Sequence, residues 1–256
     1  MAGSGSRLDL EAPVPAGDFE CTLHQGVAVW NCVRFRSGRH STGKGYKMSR
    51  KHQTRSGDWA TRRARDPYAK QAQAAGYRSR AAWKLLELDQ KDRLIRKGYV
   101  VIDLGAAPGS WSQVALAKTG PTGRVVAVDQ SPIEPLADLE IIEGDFMSPV
   151  VQEAVRKAVR NAPIDLVLSD MAPNISGVRD IDQVRCTELA RAARDVALEC
   201  LRPGGRLVVK LFEGTETVSF QRETRGLFEV CAARKPASSR PESPEFFLVA
   251  RRAKVP

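Results

Sequence analysis

Short apolar runs alternate with helix-like stretches along most of this chain. Strand-like runs cover Val100–Leu104, Arg124–Val128, Leu139–Glu143, Ile164–Ser169, Arg206–Lys210, Leu227–Ala232 and Phe246–Ala250. Helix-like runs between them are Trp111–Lys118, Val150–Val159, Asp182–Leu201 and Val218–Phe228. The Leu227–Ala232 strand and the helix before it compete at their boundary. Ahead of the first strand, Ala, Tyr, Trp and Leu recur at threes and fours from Tyr68 to Asp89, which predicts a helix. Repeated strand–helix alternation predicts an α/β fold, with a parallel sheet and helices on both faces.

Before Asp66 the texture differs. The first twenty residues are rich in Gly, Ala, Pro and Ser, with acids at Asp9, Glu11, Asp18 and Glu20. They lack the charged start and apolar run of a secretory signal, and their acids argue against an organelle transit peptide. From Cys21 to Gly57 there is no acid, and Arg34–Arg55 is basic and polar. This predicts a weakly ordered basic extension over residues 1–60 and one domain over 61–256. Met48 opens MSRKHQTRSGDW, which reads equally as a start, with residues 1–47 an over-extended frame. His24, His40, His52, Cys21 and Cys32 fit no regular ligand spacing, so a polar tail is expected here and no metal site.

Composition narrows the class. The 256 residues, 42% of them hydrophobic, suffice for one sizeable core. No apolar run reaches the roughly 18–20 residues of a membrane span. A net charge of +10 points to a polyanionic partner, nucleic acid being the usual one. Five scattered cysteines without a CxxC pair favour neither a disulfide framework nor a zinc ribbon, and a reducing cytoplasm is expected.

The stretch VVIDLGAAPGSW, Val100–Trp111, carries the first chemistry. A buried strand ends at Asp103, small residues follow from Gly105 to Gly109, and a helix opens. Such a loop lets a ligand approach the backbone at the carboxyl end of a strand, where open α/β sheets bind ligands. Gly105 and Gly109 do not match the G-x-G-x-x-G dinucleotide fingerprint, so a cofactor without a pyrophosphate is favoured. The next strand ends at Asp129, able to accept from both ribose hydroxyls of a nucleoside, and the third leads to Asp145, near an adenine amino group. One loop and two acids at successive strand ends suit S-adenosylmethionine.

The segments RSRAAWKLLEL, DLGAAPGSWSQ, SDMAPNISG, PGGRLVVKLF and SSRPESPEFFLVA follow one another in an order and spacing that resembles the FtsJ/RrmJ family of ribosomal RNA 2′-O-methyltransferases. The resemblance runs from about Tyr68 to Ala250. It implies a Rossmann-like class I methyltransferase fold with a mostly parallel, seven-stranded sheet. It implies methyl transfer from S-adenosylmethionine to the ribose 2′-hydroxyl of a uridine in large-subunit ribosomal RNA, by a monomer. The implied catalytic centre is Lys84, Asp170, Lys210 and Glu245. The implied cofactor contacts are Gly109, Trp111, Asp129, Asp145 and Asp170. Two departures stand out. Ser110 replaces the family's second glycine, and Glu242 competes with Glu245, although the phase of the last strand favours Glu245.

These residue types suit the reaction. A ribose hydroxyl is a poor nucleophile, so catalysis needs alignment and proton removal. A free lysine titrates at about 10.4, and burial beside a second ammonium disfavours its charged form. Lys210 is expected to accept the proton, Lys84 to position the hydroxyl or the adjacent phosphate, and Asp170 to lie between cofactor and lysines. Arg62, Arg63, Arg65, Lys70, Arg78, Arg80 and Lys84 would form a phosphate track, extended by Arg234, Lys235 and Arg240. The competing readings are base methylation, a 2′-O-methyltransferase of tRNA, a silent RNA-binding assembly factor and a nicotinamide dehydrogenase. The last fails on its glycine spacing, and the first lacks an aromatic after the fourth strand and a motif-borne cysteine nucleophile.

Overall fold

A computed structural model describes residues 19–24, 27–32, 66–159 and 162–253. The central sheet runs β3 (Val100–Leu104), β4 (Arg124–Asp129), β5 (Leu139–Glu143), β6 (Ile164–Ser169), β7 (Leu201–Phe212), β8 (Val230–Arg234) and β9 (Glu245–Arg251). Strands β3 to β7 pair in parallel, while β9 lies antiparallel between β7 and β8. The spatial order β5-β4-β3-β6-β7-β9-β8 reverses direction between β3 and β6. A crevice opens at such a switch point, beyond the carboxyl ends of the strands.

Two further strands extend this seven-stranded sheet. β1 (Phe19–His24) and β2 (Val27–Cys32) form an antiparallel hairpin, and β2 pairs with β5. Residues 19–24 and 27–32 of the expected basic extension thus form strands. FECTLH alternates apolar and polar residues and VAVWNC is a short run rich in Val and Trp, and the edge of β5 offers the hairpin a backbone to pair with. The Met48 start, His40, His52 and Arg62, Arg63 and Arg65 lie outside the described residues.

Helices cover both faces. α2 (Ala81–Asp92) and α3 (Ser110–Thr119) pack Leu85, Leu88, Trp111 and Val114 against one face. α4 (Pro149–Ala158), α5 (Arg179–Cys200) and α6 (Thr215–Leu227) pack Val151, Val155, Ala190, Ala193 and Phe220 against the other. Burial on both faces is why the parallel strands read as unbroken apolar runs. No helix among the described residues is long and apolar enough to cross a membrane.

The single helix expected over Tyr68–Asp89 is two. α1 (Pro67–Ala74) opens with Pro67, and the Asp66 carboxylate accepts from the Tyr68 and Ala69 N–H groups. It closes in a Schellman turn, with Tyr77 N–H donating to Ala72 carbonyl and Gly76 N–H to Gln73 carbonyl. Gly76 takes φ 76°, which a side chain would resist. α2 starts five residues later. Helix α6 runs to Leu227 and settles the contested boundary, so β8 begins at Val230.

Candidate active site

A cavity of about 510 Å3 opens over the carboxyl ends of β3 to β6. Its wall includes Gly105, Ala107, Asp129, Asp145, Met147 and Asp170. The volume lies within the roughly 300–1,000 Å3 usual for small-molecule sites. Gly105 has φ 74°, and a Cβ there would stand 2.7 Å from the Met171 backbone. The close approach brings the loop after β3 against the loop after β6. Asp129 steadies the glycine loop by accepting from Ala107 N–H at 2.9 Å, and its other oxygen accepts from Ser131 N–H at 2.8 Å. Asp145 accepts from Met147 N–H at 2.9 Å. Each of these oxygens keeps a second lone pair for a ligand hydroxyl or amino group.

Behind the loop lies Asp103, fully buried. Ser112 hydroxyl donates to its Oδ2 at 2.7 Å, while Oδ1 has no hydrogen-bond partner. Burial pushes this carboxyl up to about 7; the Ser112 hydrogen bond opposes the shift, and the nearby carboxylates of Asp170 and Asp129 add to it. Asp170 Oδ1 is also buried, and its charged neighbour is the Lys210 ammonium. A wall carrying the carboxylates of Asp129, Asp145 and Asp170 fits a ligand with hydroxyls, amino groups and positive charge.

Two lysine–carboxylate pairs sit beside this cavity. Lys210 is 7% exposed, and its Nζ lies 3.2 Å from Asp170 Oδ1 and donates to the Asp170 carbonyl at 2.6 Å. Lys84 Nζ lies 2.7 Å from Glu245 Oε1, which also accepts from Ser239 hydroxyl at 2.9 Å. Sheet register joins the pairs, because Lys210 on β7 stands opposite Phe247 on β9 and the Lys84 ammonium lies 5.7 Å from the Phe247 ring centre. Asp170 belongs to both parts of the site, lining the cavity and contacting Lys210.

Comparison with known proteins agrees with this geometry. The family model of FtsJ-like methyltransferases matches residues 77–253. The chain belongs to the FtsJ-like methyltransferase family. It is 47% identical over 202 residues to the ribosomal RNA large subunit methyltransferase E of Alkalilimnicola ehrlichii, covering 79% of this chain and 97% of that one. It is 46% identical over 193 residues to the protein of the same name from Pseudomonas aeruginosa, covering 75% and 93%. A crystal structure described as a ribosomal RNA methyltransferase from Plasmodium falciparum superposes with a TM-score of 0.63 at 28% identity, over 69% of this chain and 98% of that one. The chain is accordingly a methyltransferase enzyme on a Rossmann-like fold.

Within this FtsJ-like frame, the four residues expected at the catalytic centre come together, and Asp129 and Asp145 line the cavity as expected. Glu242 is exposed, whereas Glu245 is buried on Lys84. Gly109 has φ 104° and caps α3, so Ser110 falls inside the helix, where its hydroxyl meets that of Ser79 at 2.7 Å. The indole of Trp111 does not line the cavity. It is 2% exposed, donates to Ala81 carbonyl at 2.7 Å and packs on Phe247.

The expected phosphate track is largely taken up by internal contacts. Arg78 donates to the carbonyls of Pro108 and Glu134 at 2.9 and 2.6 Å, stapling the cofactor loop. Arg80 joins Asp66 to the Ser238 carbonyl, Lys84 pairs with Glu245, and Arg234 forms a two-pronged pair with Asp92. Lys70 and Arg240 remain exposed. Residue spacing shows which cations share a region and is blind to carbonyls and carboxylates that distant segments bring to them. Arg185 and Glu188 of α5 also line the cavity, and no motif marks them.

Proposed function

We propose that this enzyme transfers a methyl group from S-adenosylmethionine to the ribose 2′-hydroxyl of a uridine in large-subunit ribosomal RNA, in the cytoplasm. The observation that carries this reading is the double position of Asp170, on the cavity wall and against Lys210. It couples a nucleoside-sized site to a lysine able to meet an acceptor hydroxyl. The names of the bacterial relatives supply the RNA class.

Asp129 would receive the two ribose hydroxyls of the donor and Asp145 its adenine amino group. Asp170 would face its positive charge. The bound donor supplies an electrophilic methyl on a sulfonium, which departs as a neutral thioether. Lys84, fixed by Glu245, orients the acceptor hydroxyl or the phosphate beside it. Lys210, in its neutral form, takes the hydroxyl proton as the new C–O bond forms, and Asp170 then faces the resulting ammonium. Holding the reacting atoms in line accounts for much of the acceleration, and the positioned base contributes about 10²–10⁴-fold.

The test is methyl transfer from labelled donor to large ribosomal subunits and to tRNA, both from cells lacking this protein. Label in a 2′-O-methyluridine from the subunits is expected. Label in tRNA alone would move the substrate, and label on a base would overturn the reaction. Lys210→Ala should lose at least a hundredfold in turnover, and an unimpaired variant would remove Lys210 from its role.

A further inference from the structure

The first two turns of α5 touch both strand ends that carry the reaction centre. Asp182 is buried and holds the loop after β6. Its Oδ1 accepts from Ser176 N–H and Ser176 hydroxyl, each at 2.7 Å, and its Oδ2 accepts from Gly177 N–H at 3.0 Å. That loop begins with Asp170 and continues through the cavity-lining Met171–Asn174. The next residue, Gln183, is buried against the start of α6, just beyond the end of β7. With its amide oxygen facing the helix, it accepts from Thr215, Glu216 and Thr217 N–H groups at 3.0, 2.8 and 3.2 Å. α6 has no side-chain cap of its own, and an open helix end leaves such donors without intrahelical partners. A Cβ on Gly214 would fall 2.2–2.6 Å from the Gln183 amide, so the two elements are in direct contact. One turn on, Cys186 thiol approaches the carbonyl of Lys210 itself at 3.8 Å.

We propose that Asp182 and Gln183 are positioning residues that hold the Asp170 loop and the Lys210 strand end at their working separation. The proposal rests on the catalytic reading of Asp170 and Lys210 given above. Neither residue touches the cavity wall, and neither supplies chemistry. Their side chains act as struts from one rigid helix to two segments that run on past the last β6–β7 pair, Ser169 and Val209, and meet beyond it through the Lys210–Asp170 contact. A displacement of about 1 Å in a reacting group lowers rates by about a hundredfold, which gives two struts a large lever on turnover.

The experiment compares wild type with Asp182→Ala, Gln183→Ala and the milder Ser176→Ala. The readouts are amide hydrogen exchange, affinity for S-adenosylmethionine, and kcat and KM on large ribosomal subunits. For Asp182→Ala we expect faster exchange at Ser176 and Gly177, cofactor affinity at least tenfold weaker, and kcat ten- to a hundredfold lower with KM for RNA unchanged. For Gln183→Ala we expect faster exchange at Thr215–Thr217 and a loss in kcat without the loss in cofactor affinity. Gln183→Glu, which restores an acceptor at the helix end, should recover turnover. Should Asp182→Ala misfold, Ser176→Ala must show the same pattern more weakly. Undisturbed exchange at these amides, or loosened amides with wild-type kcat and cofactor affinity, would overturn the proposal. Full turnover in Lys210→Ala would instead remove the catalytic reading beneath it, and it leaves the exchange results to report on the struts alone.

Discussion

Asp103→Asn tests the electrostatics of the site on a scale that can be worked out beforehand. The Asp103 carboxyl stands fully buried, and its ionisation is pushed up to about 7 by burial and, further, by the neighbouring carboxylates of Asp170 and Asp129, against the opposing Ser112 hydrogen bond. In an unfolded chain it titrates at about 3.9. Between those values the folded state holds one proton more than the unfolded state, so stability falls by about 1.4 kcal/mol for each step of one in pH. The contribution is fully present below about pH 4, is lost as pH rises to about 7, and changes no further above that. Asparagine removes the ionisation and keeps an oxygen for the Ser112 hydroxyl. Any fixed penalty from its amide nitrogen is the same at all pH. The variant should therefore gain about 2–3 kcal/mol relative to wild type between pH 5 and pH 8. Urea unfolding of both proteins at the two pH values, without donor, measures that difference of differences. Other titrating groups cancel in the comparison. Parallel behaviour of the two proteins from pH 5 to pH 8 would refute the argument.

Three further outcomes follow from the geometry. Lys84→Met should destabilise the protein by leaving buried Glu245 without its ion partner, up to about 3 kcal/mol, and the double variant Lys84→Met/Glu245→Leu should regain most of it while staying inactive, which a double-mutant unfolding cycle reads directly. Gly105→Ala forces a side chain into φ 74° and against the Met171 backbone, so donor affinity measured by calorimetry should fall at least tenfold, and wild-type affinity would contradict the close approach. Glu242→Gln alters an exposed carboxylate and should leave turnover unchanged, whereas Glu245→Gln should impair it; the opposite result in labelled methyl transfer would reassign the fourth catalytic position.

Much of the fold could be read from periodicity, because strands buried on both faces leave continuous apolar runs. The placements of β3, β5 and β6 agree with the runs Val100–Leu104, Leu139–Glu143 and Ile164–Ser169 to the residue. The break at Gly76 was missed because Ala and Tyr keep helical spacing across it, while the turn depends on one backbone angle. The hairpin of β1 and β2 was missed because its pairing partner, β5, lies more than a hundred residues away. Asp129, Asp145, Asp170 and Lys210 were legible because strand ends in a parallel sheet converge on one crevice. The Trp111 side chain does not follow that rule. It follows the glycine loop in sequence, but the first turn of α3 directs its indole into the core, against Phe247.

The two ion pairs themselves argue that this region is shaped by chemistry more than by stability. Lys84–Glu245 and Asp170–Lys210 bring four charged groups into a largely buried region, with Lys84 over the Phe247 ring, where an apolar set would pack without desolvation. Buried pairs of this kind are often no more stabilising than hydrophobic replacements. What they do provide is two lysine side chains at fixed positions, each beside a carboxylate, so the arrangement can exist before substrate arrives. Lys210 is held by a carboxylate that also faces the cofactor cavity, so occupancy of the cavity and the state of the lysine are joined through one side chain. Lys84 is held by a carboxylate that does not line that cavity and is itself fixed by Ser239. The pairing thus divides the labour. On the proposed reading, one lysine is coupled to the donor site, and the other is anchored to the scaffold, where it orients the acceptor.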